Sequence, residues 1–170
     1  MDSADVAAMA LVCVAAVIDV RSRRVPNWLT FGGAALAFVY HLWTGGPDGL
    51  LHGATGWGTG VALFLPMFLL RGMGAGDVKL LGAVGAWLGV MGALWAAFYA
   101  VLAGGVLALG VALQHRYLRQ AFGNLRRMLV SWFLSGPKPL SGMTLEDATG
   151  PRLPYAVAIA VGTAAAVWLK

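Results

Sequence analysis

Carboxylates and cysteines are what this sequence has least of. Seven acidic residues serve a 170-residue chain, charged residues of both signs make up 11% of it, and Cys13 is its one cysteine. A single thiol excludes an intramolecular disulfide framework and a cysteine-ligated metal cluster, and its place inside the first apolar run gives it a packing role. So few charges exclude the surface of an ordinary water-soluble domain. What is abundant instead is apolar: 59% hydrophobic residues and a mean hydropathy of +0.76 place the chain in a bilayer. The formal charge of +5 sits in short clusters beside the apolar runs. That arrangement suits membrane topology and anionic lipid rather than nucleic acid.

The expected architecture is all-α: one polytopic membrane domain over residues 1–170 with six transmembrane helices at about 4–20, 28–43, 50–70, 78–90, 92–113 and 153–169. Each run approaches the length that crosses about 30 Å of hydrocarbon at about 1.5 Å of rise per residue. Asp2 and Asp5 precede the first run where a signal peptide would carry lysine or arginine, so it reads as a retained span. The apolar stretch from Val78 to Leu113 is too long for one span and is divided near Gly89 to Gly92. Recurrent glycine and alanine predict helices packed backbone to backbone.

Residues 115–134 keep apolar side chains at a spacing of three to four, with Arg116, Arg119, Arg126 and Arg127 on the opposite face. Four arginines make spanning costly, so this segment is expected to lie in the headgroup plane on the cytoplasmic side. A Pro/Gly/Ser-rich loop, 135–152, follows it. Lysine and arginine concentrate after the first, third and fifth spans, which puts those loops in the cytoplasm and both termini on the other side.

This topology brings Asp19, at the inner end of the first span, to the depth of Asp77, in "GMGAGDVKLL" at the inner start of the fourth. Two carboxylates facing each other in a cleft poor in water cannot both ionise cheaply, so they share a proton. That is the state for aspartic proteolysis, in which the ionised group takes a proton from attacking water and the protonated one donates to the peptide carbonyl. Neither metal nor cofactor is needed. Gly74 and Gly76 are expected to allow unusual dihedrals and close approach of a substrate backbone. Lys79 has two readings, a cation that favours ionisation of the nearer aspartate and a snorkelling lysine at a helix end.

"GAGD" before an apolar helix, with an aspartate ending the first span and "RVPNWLT" after it, resembles the type IV prepilin peptidase family of Gly-X-Gly-Asp intramembrane aspartic peptidases. The resemblance covers nearly the whole chain. It implies removal of the basic leader from pilin-like precursors at the cytoplasmic face of the inner membrane, with Asp19 and Asp77 as the catalytic pair, Gly74 and Gly76 as their backbone setting, and Pro26 and Asn27 shaping the turn into the second span. Pro154 and Tyr155 resemble the family's proline-aromatic start to the last span, although Ala156 stands where glycine often follows. The paired cysteines of larger members are missing, so the chain resembles the short, peptidase-only form of tight-adherence (Flp-type) pilus systems, without N-methylation.

Plainer readings stand beside this one. Asp19 can be a helix-end carboxylate neutralised by Arg21 or Arg23, and Asp77 a helix cap. His41, Asp48 and His52 fit no metal motif and read as interfacial residues. Glu146 and Asp147 fall in the cytoplasmic loop, as solvated or capping groups. A proton-coupled transporter would need a polar path across the membrane, which the other spans do not offer. A structural assembly factor would tolerate loss of either aspartate.

Overall fold

The computed structural model describes residues 1–114, 123 and 154–169, and all secondary structure among them is helical. Four helices follow in chain order: α1 (Ser3–Ser22), α2 (Asn27–Leu69), α3 (Ala75–Gln114) and α4 (Tyr155–Trp168). The expected interfacial helix at 115–134 and the loop at 135–152 lie outside the described residues, apart from Gly123.

The expectation of six separate spans is corrected: the described residues form four helices. The second and third expected spans fall within α2, and the fourth and fifth within α3. Of the four, α1 and α3 are long and apolar enough to cross a membrane, and α4 is a shorter apolar helix. Sequence reading placed boundaries between residues 43 and 50 and near Gly89 to Gly92, and non-helical dihedrals do interrupt α2 and α3 there, at Gly46 and Gly89. Each long helix is interrupted at one glycine, Gly46 (φ 58°) and Gly89 (φ 70°), in the left-handed region that other residues rarely adopt. The break at Gly46 folds α2 back on itself: the rings of His41 and His52, eleven positions apart, have centroids 5.2 Å from each other, where a straight helix would separate the residues by about 16 Å.

α2 and α3 make the most extensive helix pair, followed by α3 with α4 and α1 with α4. The expectation of close backbone packing holds. A Cβ on Gly56 would run into the carbonyl oxygen of Gly85, and one on Gly85 into that of Gly56, so the two helices cross at bare backbone. The buried interior at this crossing is lined by Leu80, Leu81, Val84 and Phe64, while Val12 and Ala15 bring in α1 and Ile159 brings in α4. Its consequence for function is positional. α1 ends, α3 begins and α4 begins at one end of the bundle.

Candidate active site

Asp19 lies in the last turn of α1 and is buried, 6% exposed, in a helix whose other buried residues are Ala8, Leu11, Val12, Ala15 and Asp5. A carboxylate so placed needs a hydrogen-bond donor. The donor comes from the far end of the chain: the backbone N–H of Ala156, in the first turn of α4, donates to Asp19 Oδ2 at 3.2 Å. The first N–H groups of a helix have no partner within it and carry its positive dipole end, so Asp19 completes α4 from outside. Arg23 also acts on Asp19 electrostatically, as the helix-end reading expects. Arg23 itself closes α1 in a left-handed conformation (φ 56°), its N–H donating to the Asp19 carbonyl at 2.7 Å.

Asp77 occupies the first turn of α3, and its carboxylate hydrogen-bonds the backbone of Gly74, just ahead of that helix. This is the reach from third helical residue to cap that closes a helix N-terminus. Asp5 makes the same reach at the start of α1, accepting from the Asp2 N–H at 3.1 Å. Capping therefore accounts for where Asp77 sits along its helix. What capping leaves unexplained is its neighbour, because Asp19 and Asp77, 58 positions apart in the sequence, lie within electrostatic range of each other.

The glycines act differently from expectation. Positive φ among glycines is confined to Gly46 and Gly89 in the described residues, so Gly74 and Gly76 supply space rather than unusual dihedrals. A Cβ on Gly74 would stand 3.2 Å from Asp77 Oδ2, and one on Gly76 would stand 3.1 Å from Val25 Cβ. Gly74 keeps one side of the carboxylate open. Gly76 lets the α1–α2 connection pack against the start of α3.

Lys79 turns away from the aspartates. Its Nζ donates to Asn27 Oδ1 at 2.9 Å and lies 5.0 Å from the centroid of the Phe31 ring. It ties the start of α3 to the start of α2. Pro26 is the residue ahead of α2, its carbonyl accepting from Leu29 and Thr30. Pro154 stands in the same position before α4. Tyr155, next in line, is half-buried, packs edge-on to Phe64 and feels the charge of Asp77. The structure thus gathers Asp19, Asp77, Gly74 and Tyr155, and sets Pro26, Asn27 and Lys79 to one side.

Sequence reasoning missed the Ala156 N–H, because a backbone donor leaves no mark in side-chain pattern; Pro154, which announces a helix start, was the available signal. It also passed over the opposite end. There His41 Nε2 donates to the Trp87 carbonyl oxygen at 3.1 Å, and His52 packs on Gly89. No group of three metal-ligating side chains occurs among the described residues.

Two carboxylates within electrostatic range of each other, each accepting from a backbone donor, at one end of a helical bundle with membrane-length helices, define a class: an apolar helical protein with two aspartates meeting where its helices end. The sequence matches the type IV leader peptidase family over residues 6–109, more than half of the chain, and the protein belongs to that family. It is accordingly a peptidase, and its apolar helices place it in a membrane. Comparison with curated proteins and with solved structures gave no match.

Proposed function

We propose that the chain is an intramembrane aspartic endopeptidase that removes the basic leader from type IV pilin-like precursors at the cytoplasmic face of the inner membrane. The observation that carries this reading is the meeting of Asp19 and Asp77 from the ends of two different helices. Neither helix needs the other's carboxylate for capping. Two acids brought together in a buried place share a proton, which supplies a base and an acid in one step. The ionised aspartate removes a proton from water as it attacks the scissile carbonyl; the protonated partner donates to the carbonyl oxygen. Collapse of the tetrahedral intermediate returns a proton to the leaving amine, and the pair is restored.

Substrate handling follows from the surroundings. The precursor presents an apolar helix to the glycine- and alanine-rich bundle, with its basic leader among anionic headgroups. Helical hydrogen bonding hides a scissile carbonyl, so the bond unwinds locally before cleavage, with the open side of Gly74 as the space for it. An extra cysteine-paired segment for N-methylation has no counterpart in this sequence, and the proposed activity is peptidase only.

One observation favours a second reading: both carboxylates occupy helix ends, so each can be a structural cap and nothing more. Asparagine separates the two, since it caps a helix about as well as aspartate but cannot exchange a proton. The experiment is cleavage of a pilin-like precursor in membranes, read by mass, with wild type, Asp19→Asn and Asp77→Asn at matched abundance. Loss of cleavage in both variants supports the catalytic pair. Full activity in either one rejects it in favour of capping.

A further inference from the structure

α1 and the arm of α2 ahead of Gly46 run antiparallel from the short connection between them, with Leu11 packed on Gly33 and the Ser3 hydroxyl hydrogen-bonded to that of Tyr40. They touch little elsewhere. Beside these contacts a groove of about 740 Å³ opens between the two helices, reaching from Trp28 to Trp43 along α2, and no charged side chain lines it. So apolar a space does not hold water. In a membrane its occupant is apolar, and the shape of the groove says of which kind. Trp28 and Trp43 are fifteen positions apart, about 22 Å along a helix, so 740 Å³ spread over that length leaves a mean section of about 34 Å². A helix with its side chains is about 10 Å or more across and needs about 80 Å² or more. The groove is a slot for a single hydrocarbon chain.

The charges at its two ends are unequal. The connection at the Trp28 end carries Arg21, Arg23 and Arg24, all exposed. At the other end Asp2 precedes Ser3 on α1, and Asp48 follows Trp43 with no lysine or arginine before Arg71. An apolar slot with cations at one end only complements an anionic head on an apolar tail. The same arginines repel a basic leader, which argues against the precursor as the occupant.

We propose that the groove between α1 and α2 is a site for one anionic membrane phospholipid, its acyl chain in the slot and its phosphate against the guanidinium groups of Arg21 and Arg24. Arg23 is set apart from this pair because it closes α1. The headgroup then lies at the end of the bundle where α1 ends and α3 and α4 begin. The inference uses the membrane placement of the chain and does not depend on cleavage.

The test takes the intact chain in detergent with two lipids of identical acyl chains, phosphatidylglycerol and the zwitterionic phosphatidylcholine, and reads bound lipid by native mass spectrometry. One phosphatidylglycerol per chain is expected, held about tenfold or more tightly than phosphatidylcholine, the order that two arginines near the headgroup supply. Arg21→Gln combined with Arg24→Gln should bring the two lipids to within about twofold of each other. Gly32 lines the groove, and a Cβ there meets no atom within 4 Å, so Gly32→Phe fills the slot without displacing the helices. Retention of phosphatidylglycerol should then fall about tenfold or more, as for loss of several buried methylenes. Equal retention of the two lipids by the wild type, or preference unchanged by the paired arginine substitutions, overturns the proposal, and both results stand whether or not Gly32→Phe folds. If Gly32→Phe keeps its lipid but raises KM for a pilin-like precursor, the groove belongs to the substrate's apolar helix; if it keeps its lipid but breaks an oligomer, the groove belongs to a second copy of the chain. Either outcome overturns the lipid site. Cleavage by the Asp19 and Asp77 variants is a separate measurement, so failure of the peptidase reading and failure of this one are told apart.

Discussion

The two ends of the helical bundle are built from the same parts and do opposite things with them. At one end, beside the helix break at Gly89, His41 donates to the Trp87 carbonyl. At the other, α3 and α4 begin with unpaired N–H groups, and Asp77 and Asp19 supply acceptors. The histidine end is complete once its carbonyl is paired. The aspartate end carries something more, because its two carboxylates lie within electrostatic range of each other. On the proposed reading, it is the meeting of two acids, rather than capping as such, that makes this end reactive.

The largest effect separates an aspartate that only caps from one that also reacts. Asp5 and Asp77 make the same backward reach at the starts of α1 and α3. Asp77→Asn is expected to lower cleavage by roughly 10³-fold or more, in the upper range for a lost acid–base group, whereas Asp5→Asn stays within about threefold, since asparagine retains capping. Precursor processing measured by mass at equal membrane abundance checks both. Equal losses would mean that capping, not proton transfer, is what the aspartates provide.

This contrast also shows how far the sequence could be read. Asp19 and Asp77 were legible because a carboxylate in so apolar a chain is costly wherever it stands, and topology counted from Arg21, Arg23, Arg24 and Arg71 set both at one face. In the structure the two lie within electrostatic range of each other. The helix count was not legible. The break points were: the divisions near Gly89 to Gly92 and between residues 43 and 50 fall at the positive-φ glycines Gly89 and Gly46, although each pair of segments forms one kinked helical element. The function of Gly74 and Gly76 was not legible, because the relevant fact is what lies next to the missing Cβ.

Next in size is the crossing on which both ends depend. Gly56 and Gly85 let α2 and α3 meet at bare backbone, and Gly85→Val would force them apart, at a cost of about 1–3 kcal/mol or more for overpacking without room to relax. The expected outcome is a lower thermal midpoint in detergent and reduced membrane abundance, with loss of cleavage in proportion to the folded protein lost. Unchanged thermal stability would show that the helices can separate without consequence. A smaller change confined to the histidine end is His41→Ala, which strands the Trp87 carbonyl at a cost of about 1–3 kcal/mol. Thermal unfolding should report that loss while kcat per folded enzyme stays within about twofold. A large fall in kcat would tie the two ends together and end their division into structural and reactive parts.

The smallest effect is expected at Lys79, a residue close to Asp77 in sequence but not in orientation. Its ammonium is spent on Asn27 Oδ1 and the face of Phe31, both partly open to the surroundings, where such contacts contribute about 1 kcal/mol or less. Lys79→Met keeps the apolar stem and removes the charge. If the lysine serves only to tie α3 to α2, kcat/KM should remain within about threefold of wild type and the thermal midpoint should fall slightly. If instead its charge favours the ionised form of a nearby aspartate, kcat should fall tenfold or more and the pH dependence of cleavage should move with it. Because Asp5 and Asp77 lie in first turns of helices and Lys79 follows Asp77 by two residues, the three substitutions together ask whether it is position in a helix or company in space that makes a charged residue reactive here. Their company differs: Asp77 has Asp19 within electrostatic range, and Lys79 has an amide and a ring.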